Sequence, residues 1–233
     1  MNKELDFVKE MFDKIAHRYD FLNRLLSLRQ DVVWRAQMVR AAAPAKKTRV
    51  LDVACGTCDV ALEVSLRLKD QVCITGVDFS HAMLTSGRKK LVRKKKQAIC
   101  LVNGDALFLP FNPATFDTVF IAFGIRNIMD RHRALSEFHT VLKKGGNLAV
   151  LELTTPQAPF FRTIYLAYFK KILPLIGAFF SKESHAYHYL PASVLRFPSP
   201  AAFATLMSDA GFGQVRFKPM TFGIVTLFVG TRL

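Results

Sequence analysis

The stretch Val50-Leu51-Asp52-Val53-Ala54-Cys55-Gly56-Thr57-Cys58-Asp59 decides the fold. It opens as an apolar run of the kind found in strands covered on both faces of a parallel sheet. Gly56 then permits a tight turn and close approach of a ligand to the backbone. Helical spacing takes over at Val60, Val64 and Leu68. A dinucleotide fingerprint requires Gly-x-Gly-x-x-Gly/Ala at such a turn. Here those positions are Gly56, Cys58 and Ala61, so the second glycine is missing and nothing suits a pyrophosphate.

Outward from this turn the alternation of strand and helix continues. Apolar, β-branched runs recur at 49–54, 72–77, 99–102, 118–122 and 148–153. Between them lie helical spacings at Met83, Leu84, Leu91 and at Leu135, Phe138, Val141, Leu142, with Ser80 and Asp130 where N-caps belong. The first 43 residues read as helices. Asp31 is the expected N-cap of one carrying Val32, Trp34, Met38 and Val39, and Pro44 marks its exit. Two more strand-like runs, 214–219 and 223–230, are separated only by a short turn, Met220, Thr221 and Phe222. That is too short for a crossover, so this pair is antiparallel. The expectation is an α/β, Rossmann-like domain with a mostly parallel seven-stranded sheet and an antiparallel last strand.

One domain accounts for all 233 residues. Residues 1–43 form a helical lid, 49–153 the ligand-binding core, 154–198 a helical insertion that also serves as lid, and 199–233 a helix and β-hairpin. The formal charge of +15 favours an anionic lipid surface or nucleic acid as partner. Four cysteines do not make a disulfide framework in a chain this long, and the lone Cys55-x-x-Cys58 pair has no second pair or histidines to complete a zinc site. Reduced, metal-free thiols and a cytoplasmic location are expected. The N-terminus shows no secretory pattern, and the apolar stretch 158–180 is broken by Arg162 and Lys170-Lys171, so it is not expected to span a bilayer.

Three acids sit at three successive strand ends. Asp52 precedes the glycine turn, where it is placed to accept from the amino end of a methionine moiety, directly or through water. Asp78 ends the second strand run and suits both ribose hydroxyls. Asp105 follows the third and is placed to accept from an adenine amino group. Any one of them alone reads as a helix cap; three in series point to S-adenosylmethionine. Gly56 and Ala122, the latter at the end of the fourth strand run, join this cofactor-binding set.

The chain resembles the family of menaquinone and ubiquinone C-methyltransferases. The likeness rests on Met11-Phe12-Asp13, Ile15-Ala16, Tyr19-Asp20 and Asn23, on Asp52 to Thr57, and on Gly104-Asp105-Ala106 with Leu109-Pro110-Phe111. It continues through Phe116-Asp117, Phe123-Gly124-Ile125-Arg126-Asn127 and Tyr187-x-Tyr189-Leu190. The resemblance implies a class I S-adenosylmethionine-dependent methyltransferase with cofactor contacts at Thr57, Asp78, Asp105 and Ala106. It also implies methyl transfer to a ring carbon of a prenylated quinol, first of all demethylmenaquinol, with a benzoquinol as the alternative. Two positions depart from the family pattern: Cys58 stands where glycine is usual, and Lys144 where proline is usual.

Carbon is a weak nucleophile unless its ring is electron-rich, which favours a quinol losing a hydroxyl proton. The motifs contain no His-Asp or Cys-His pair for this. Arg126 is the candidate, as stabiliser of a phenolate or orienter of a water, with an ordinary ion pair as the competing reading. Asn127 is placed to hold the hydroxyl and Tyr19 to shape the pocket. His185 and His188 are read as structural or exposed, with a role as base as the alternative. The aromatic cluster of Phe160, Phe161, Tyr165, Tyr168, Phe169, Phe179 and Phe180, interleaved with Arg162, Lys170, Lys171 and Lys182, reads as an interfacial anchor or as lid core. The basic run from Arg88 to Lys96 reads as a solvated helix end. Expected partners are the quinol and an anionic membrane surface, with peripheral attachment at its inner face. No nucleic acid is expected, and a homodimer is left open. A nucleic-acid methyltransferase would show Asp/Asn-Pro-Pro-aromatic or a cysteine after the fourth strand, and neither is there.

Overall fold

The computed structural model describes residues 3–169 and 184–233. Among them seven strands form one sheet: β1 Arg49–Val53, β2 Cys73–Asp78, β3 Cys100–Asn103, β4 Phe116–Ala122, β5 Leu142–Leu153, β6 Phe212–Met220 and β7 Val225–Arg232. Their order is β3-β2-β1-β4-β5-β7-β6. The first five are parallel, and β7 runs antiparallel to both β5 and β6, as the hairpin spacing requires. β5 starts six residues before the run read from periodicity. After Phe116 pairs with Leu142, Thr118 pairs with Asn147, so the intervening residues bulge out, with Gly145 at φ +75°. A bulge interrupts alternation and hides a strand's beginning.

The helices are α1 Lys3–Ile15, α2 Tyr19–Leu26, α3 Gln30–Ala42, α4 Asp59–Arg67, α5 His81–Arg93, α6 Arg131–Val141, α7 Pro159–Ala167, α8 Ser184–Arg196 and α9 Pro200–Asp209. Ser80 and Asp130 cap α5 and α6 as expected, accepting from the Met83 and Arg133 amides. Asp31 does not cap α3. The chain turns through left-handed Leu28 and Arg29, the helix begins two residues earlier, and Asp31 is buried in its first turn against Arg24, Arg35 and the Ser27 hydroxyl.

Apolar side chains of α3, α4 and α5 cover one sheet face (Met38, Val39, Ala61, Val64, Leu84). Those of α6 and α9 cover the other (Leu135, Phe138, Phe203, Met207). Fully buried rings such as Phe120, Phe138 and Phe228 stabilise the fold by about 2 kcal/mol each. Because both faces are covered, β1 is buried along Val50 to Val53.

Strand β1 lies between β2 and β4, where the winding reverses and leaves a crevice. Val53 pairs with both Val77 and Ile121, so Ala54, Asp78 and Ala122 emerge level at the carboxyl ends. Over this edge lie α1 and α2. The insertion closes on them: Tyr165 and Phe169 pack with Val194, against Leu26 of α2. Phe179, Phe180, Lys170, Lys171 and Lys182 of the aromatic cluster lie outside the described residues, as do the side chains of His185 and His188. Among the described residues no helix is long and apolar enough to cross a membrane.

Candidate active site

Two cavities meet above the strand tips. The first is a crevice lined by Gly56, Asp78, Asp105, Ala106 and Ala122, with Val53, Val77 and Met83 as apolar walls and Val8, Phe12 and Tyr19 of the N-terminal helices beside it. Asp78 is rigidly placed, because its carboxylate accepts from the Gly56 amide at 2.7 Å and the Ser80 amide at 2.9 Å. Burial pushes its pKa up to about 6, against the opposing pull of those two amides. Asp105 is held by the Leu107 amide at 2.9 Å. Gly56 adopts φ +52°, and a Cβ there would come 3.9 Å from the Tyr19 ring, within the crevice. A rigid acid at the second strand tip, another at the third and an apolar floor between them fit S-adenosylmethionine's ribose and adenine.

Two expected cofactor residues do not line this crevice. Asp52 is 1% exposed and lies beneath it, accepting from the Ala61 amide at the start of α4 at 3.1 Å. Its burial raises its pKa to about 8. Thr57 turns its hydroxyl away, donating to Asp20 at 2.5 Å and accepting from Lys90 at 3.0 Å. Lys90 therefore leaves the solvated basic run. It is 9% exposed and pairs with Asp20 at 2.6 Å and Asp59 at 2.7 Å. Burial opposes the charge on Asp59, yet Arg35, Lys90 and Arg24 outweigh it and hold the carboxyl at about 2.

The second cavity is larger, about 550 Å³, and mostly apolar. Met11, Ile15, Leu22, Leu26 and Trp34 of the N-terminal helices face Phe161, Ile164, Tyr165 and Phe169 of the insertion. Phe12, Tyr19 and Phe123 line both cavities and form their shared wall. Phe123 sits at φ +59°, which swings its ring between the two spaces. The following Gly124 is required by close approach, since a Cβ there would stand 2.7 Å from the Ala54 Cβ.

Arg126 lines the second cavity and Asn127 the first. The Asn127 side-chain oxygen accepts from the Tyr189 hydroxyl at 3.1 Å, joining the motif to α8. Arg126 Nη1 donates to Glu152 at 2.8 Å and to the Phe123 carbonyl, and the Arg126 amide donates to the same carboxylate at 3.0 Å. Glu152 is fully buried. Burial works against the Arg126 charge, but Glu152 outweighs it and the guanidinium stays protonated. The ion pair and the cavity position thus coexist. Sequence reasoning missed Glu152, whose signal was a lone acid in the apolar run of β5, and the shared-wall roles of Phe12 and Phe123.

The chain is 46% identical over 226 residues to a ubiquinone/menaquinone biosynthesis C-methyltransferase of Geobacter sulfurreducens, covering 97% of this chain and 88% of the relative. It is 42% identical over 222 residues to a demethylmenaquinone methyltransferase of Thermus thermophilus, covering 95% and 100%. In fold it is similar to an S-adenosylmethionine-dependent methyltransferase of Thermotoga maritima, with TM-score 0.64 and 21% identity over 96% of this chain and 99% of that one. It is also similar to Haemonchus contortus phosphoethanolamine N-methyltransferase 2 in complex with S-adenosylmethionine, with TM-score 0.65 and 15% identity over 85% and 52%. The model of the ubiE/COQ5 methyltransferase family matches residues 1–232. With its crevice, its paired cavities and this match, the chain belongs to the ubiE/COQ5 methyltransferase family.

Proposed function

We propose that this chain methylates a ring carbon of a prenylated quinol, with demethylmenaquinol as acceptor and S-adenosylmethionine as donor. The observation that carries this reading is the shared wall. A polar crevice suited to the donor and an apolar cavity suited to a ring with a tail touch at Phe12, Tyr19 and Phe123. Bound in the crevice, S-adenosylmethionine supplies a methyl group already activated by its sulfonium. The protein's part is to orient the acceptor, exclude water and stabilise charge on the ring oxygen.

Arg126 is suited to that last task. Its guanidinium remains charged at all relevant pH and so cannot itself take the proton, but it lowers the energy of a phenolate beside it. Raised electron density at the adjacent ring carbon then favours attack, and the ring hydrogen leaves as a proton when aromaticity is restored. Asn127, fixed by Tyr189, and Tyr19 in the shared wall hold the geometry. Incubation with labelled S-adenosylmethionine and reduced short-tailed demethylmenaquinol should yield a ring heavier by one methyl group by mass spectrometry. A benzoquinol acceptor turning over better would move the reading to ubiquinone synthesis. Arg126→Ala should lower turnover about 100-fold or more with cofactor affinity retained; near-normal turnover would remove Arg126 from the mechanism.

The mouth of the acceptor cavity supports work at a membrane surface. Leu28, Ile164 and Phe222 line the cavity and are 82%, 53% and 68% exposed. Phe222 stacks on Phe161 with centroids 4.4 Å apart, and the neighbouring Phe160 is 70% exposed. An apolar rim on a chain of charge +15 suits an anionic bilayer holding the prenyl tail.

A further inference from the structure

Among the described residues, three buried side-chain polar atoms have no hydrogen-bond partner: Arg126 Nε, Arg131 Nε and the Tyr165 hydroxyl. Arg131 is engaged elsewhere. Its guanidinium lies over the Phe197 ring and donates to the Arg126 carbonyl. Arg126 and Tyr165 both line the acceptor cavity, the side chain of the first 8% exposed and the second residue 6%. They come from different elements, the turn after β4 and helix α7. Folded proteins rarely leave buried donors without acceptors, so a pair left open toward one apolar cavity marks where a ligand's oxygens belong.

We propose that Tyr165 is a substrate-binding residue whose hydroxyl donates to one ring oxygen of the quinol while Arg126 engages the other. This rests on the quinol reading above. The two oxygens of such a ring are para to one another and face opposite ways. Donors on two separate elements therefore fix the line through the two oxygens. Because a half-turn merely exchanges those oxygens, the prenyl tail seated in the apolar cavity selects the orientation that brings the reacting carbon to the methyl group. A ring turned by half would present another carbon and not react. Burial raises the Tyr165 pKa well above the ordinary phenol value, so the hydroxyl stays a donor throughout the working range. Neither its sequence neighbourhood nor the motif around Arg126 shows this, because α7 and the β4 turn are separated by some forty residues of chain.

The probe is 1,4-naphthoquinone, whose carbonyl oxygens accept the same two bonds. Trp34, the single tryptophan, lines the cavity and reports binding through its fluorescence. Tyr165→Phe should weaken naphthoquinone binding about tenfold and leave naphthalene, which has no oxygens, bound as before. In turnover the KM for short-tailed demethylmenaquinol should rise by a similar factor while the KM for S-adenosylmethionine stands. Equal loss for naphthalene would make Tyr165 a packing residue, and unchanged naphthoquinone binding would leave its hydroxyl without this role; either result overturns the proposal. A native protein that binds no naphthoquinone would instead defeat the quinol reading itself.

Discussion

Cys58 shows how much one side chain can owe to a distant one. It sits at φ +71°, ψ +28°, a left-handed conformation that costs a residue with a Cβ roughly 1–2 kcal/mol. The glycine usual at this place in the family would be unstrained. Cys58 is nonetheless fully buried, and its sulfur would stand 2.6 Å from a Cβ built on Gly87 of α5. Strain at one position is matched by absence of a side chain at the other. Cys58→Gly should retain cofactor binding and change stability by less than about 1 kcal/mol, relief of strain offsetting lost burial. Gly87→Ala alone should cost about 1–3 kcal/mol, and clearly less when combined with Cys58→Gly. Denaturant melts of the four proteins check this; strictly additive values would show that the two positions are independent. The departure at Cys58 is visible in the sequence, whereas its partner on α5 is not.

Among elements, α4 begins without a side-chain cap, since the Cys58 thiol accepts from none of its amides. Asp52 does this work from β1, accepting from the Ala61 amide. Burial moves its pKa from an ordinary 3.8 to about 8. Between those values the folded protein holds a proton that the unfolded chain lacks. The contribution is therefore complete below about pH 4 and is lost as pH rises through about 8. Asp52→Asn keeps the acceptor for Ala61 and removes the titration. Relative to the native protein, it should gain stability at pH 8 compared with pH 5, measured by urea unfolding of the cofactor-free protein. An identical difference at both pH values would contradict the buried-acid account. The three-acid pattern was legible as a series at strand ends, but for Asp52 the helix-cap reading is the one the fold realises.

For the whole molecule, the N-terminal helices reach the core through charge on one side and aromatic packing on the other. Asp20 and Arg24 of α2 join Lys90 and Asp59, while Leu26 meets Tyr165 and Phe169. The larger, apolar cavity lies between these contacts and opens through an apolar rim. Flotation with phosphatidylglycerol vesicles at low salt should carry the protein up the gradient. Zwitterionic vesicles should carry much less, and added salt should release it from the anionic ones. Equal recovery with both lipids would remove the charge from membrane docking, and no recovery with either would remove the docking itself.

Periodicity and turn chemistry alone were sufficient for the α/β class, the antiparallel final pair and the placing of Gly56, Asp78, Asp105 and Ala106 at the strand tips, because each is a local property of chain spacing. The motif Phe123 to Asn127 was readable as a unit through the resemblance to the family. Tertiary structure alone decided that Thr57 and Asp52 turn from the crevice, that Arg126 shares Glu152 across 26 residues of chain, and that Phe12, Tyr19 and Phe123 divide two cavities. Spacing states which face of an element a side chain occupies. What stands opposite that face is set by elements brought there from elsewhere in the chain, and charge and burial at the site depend on them.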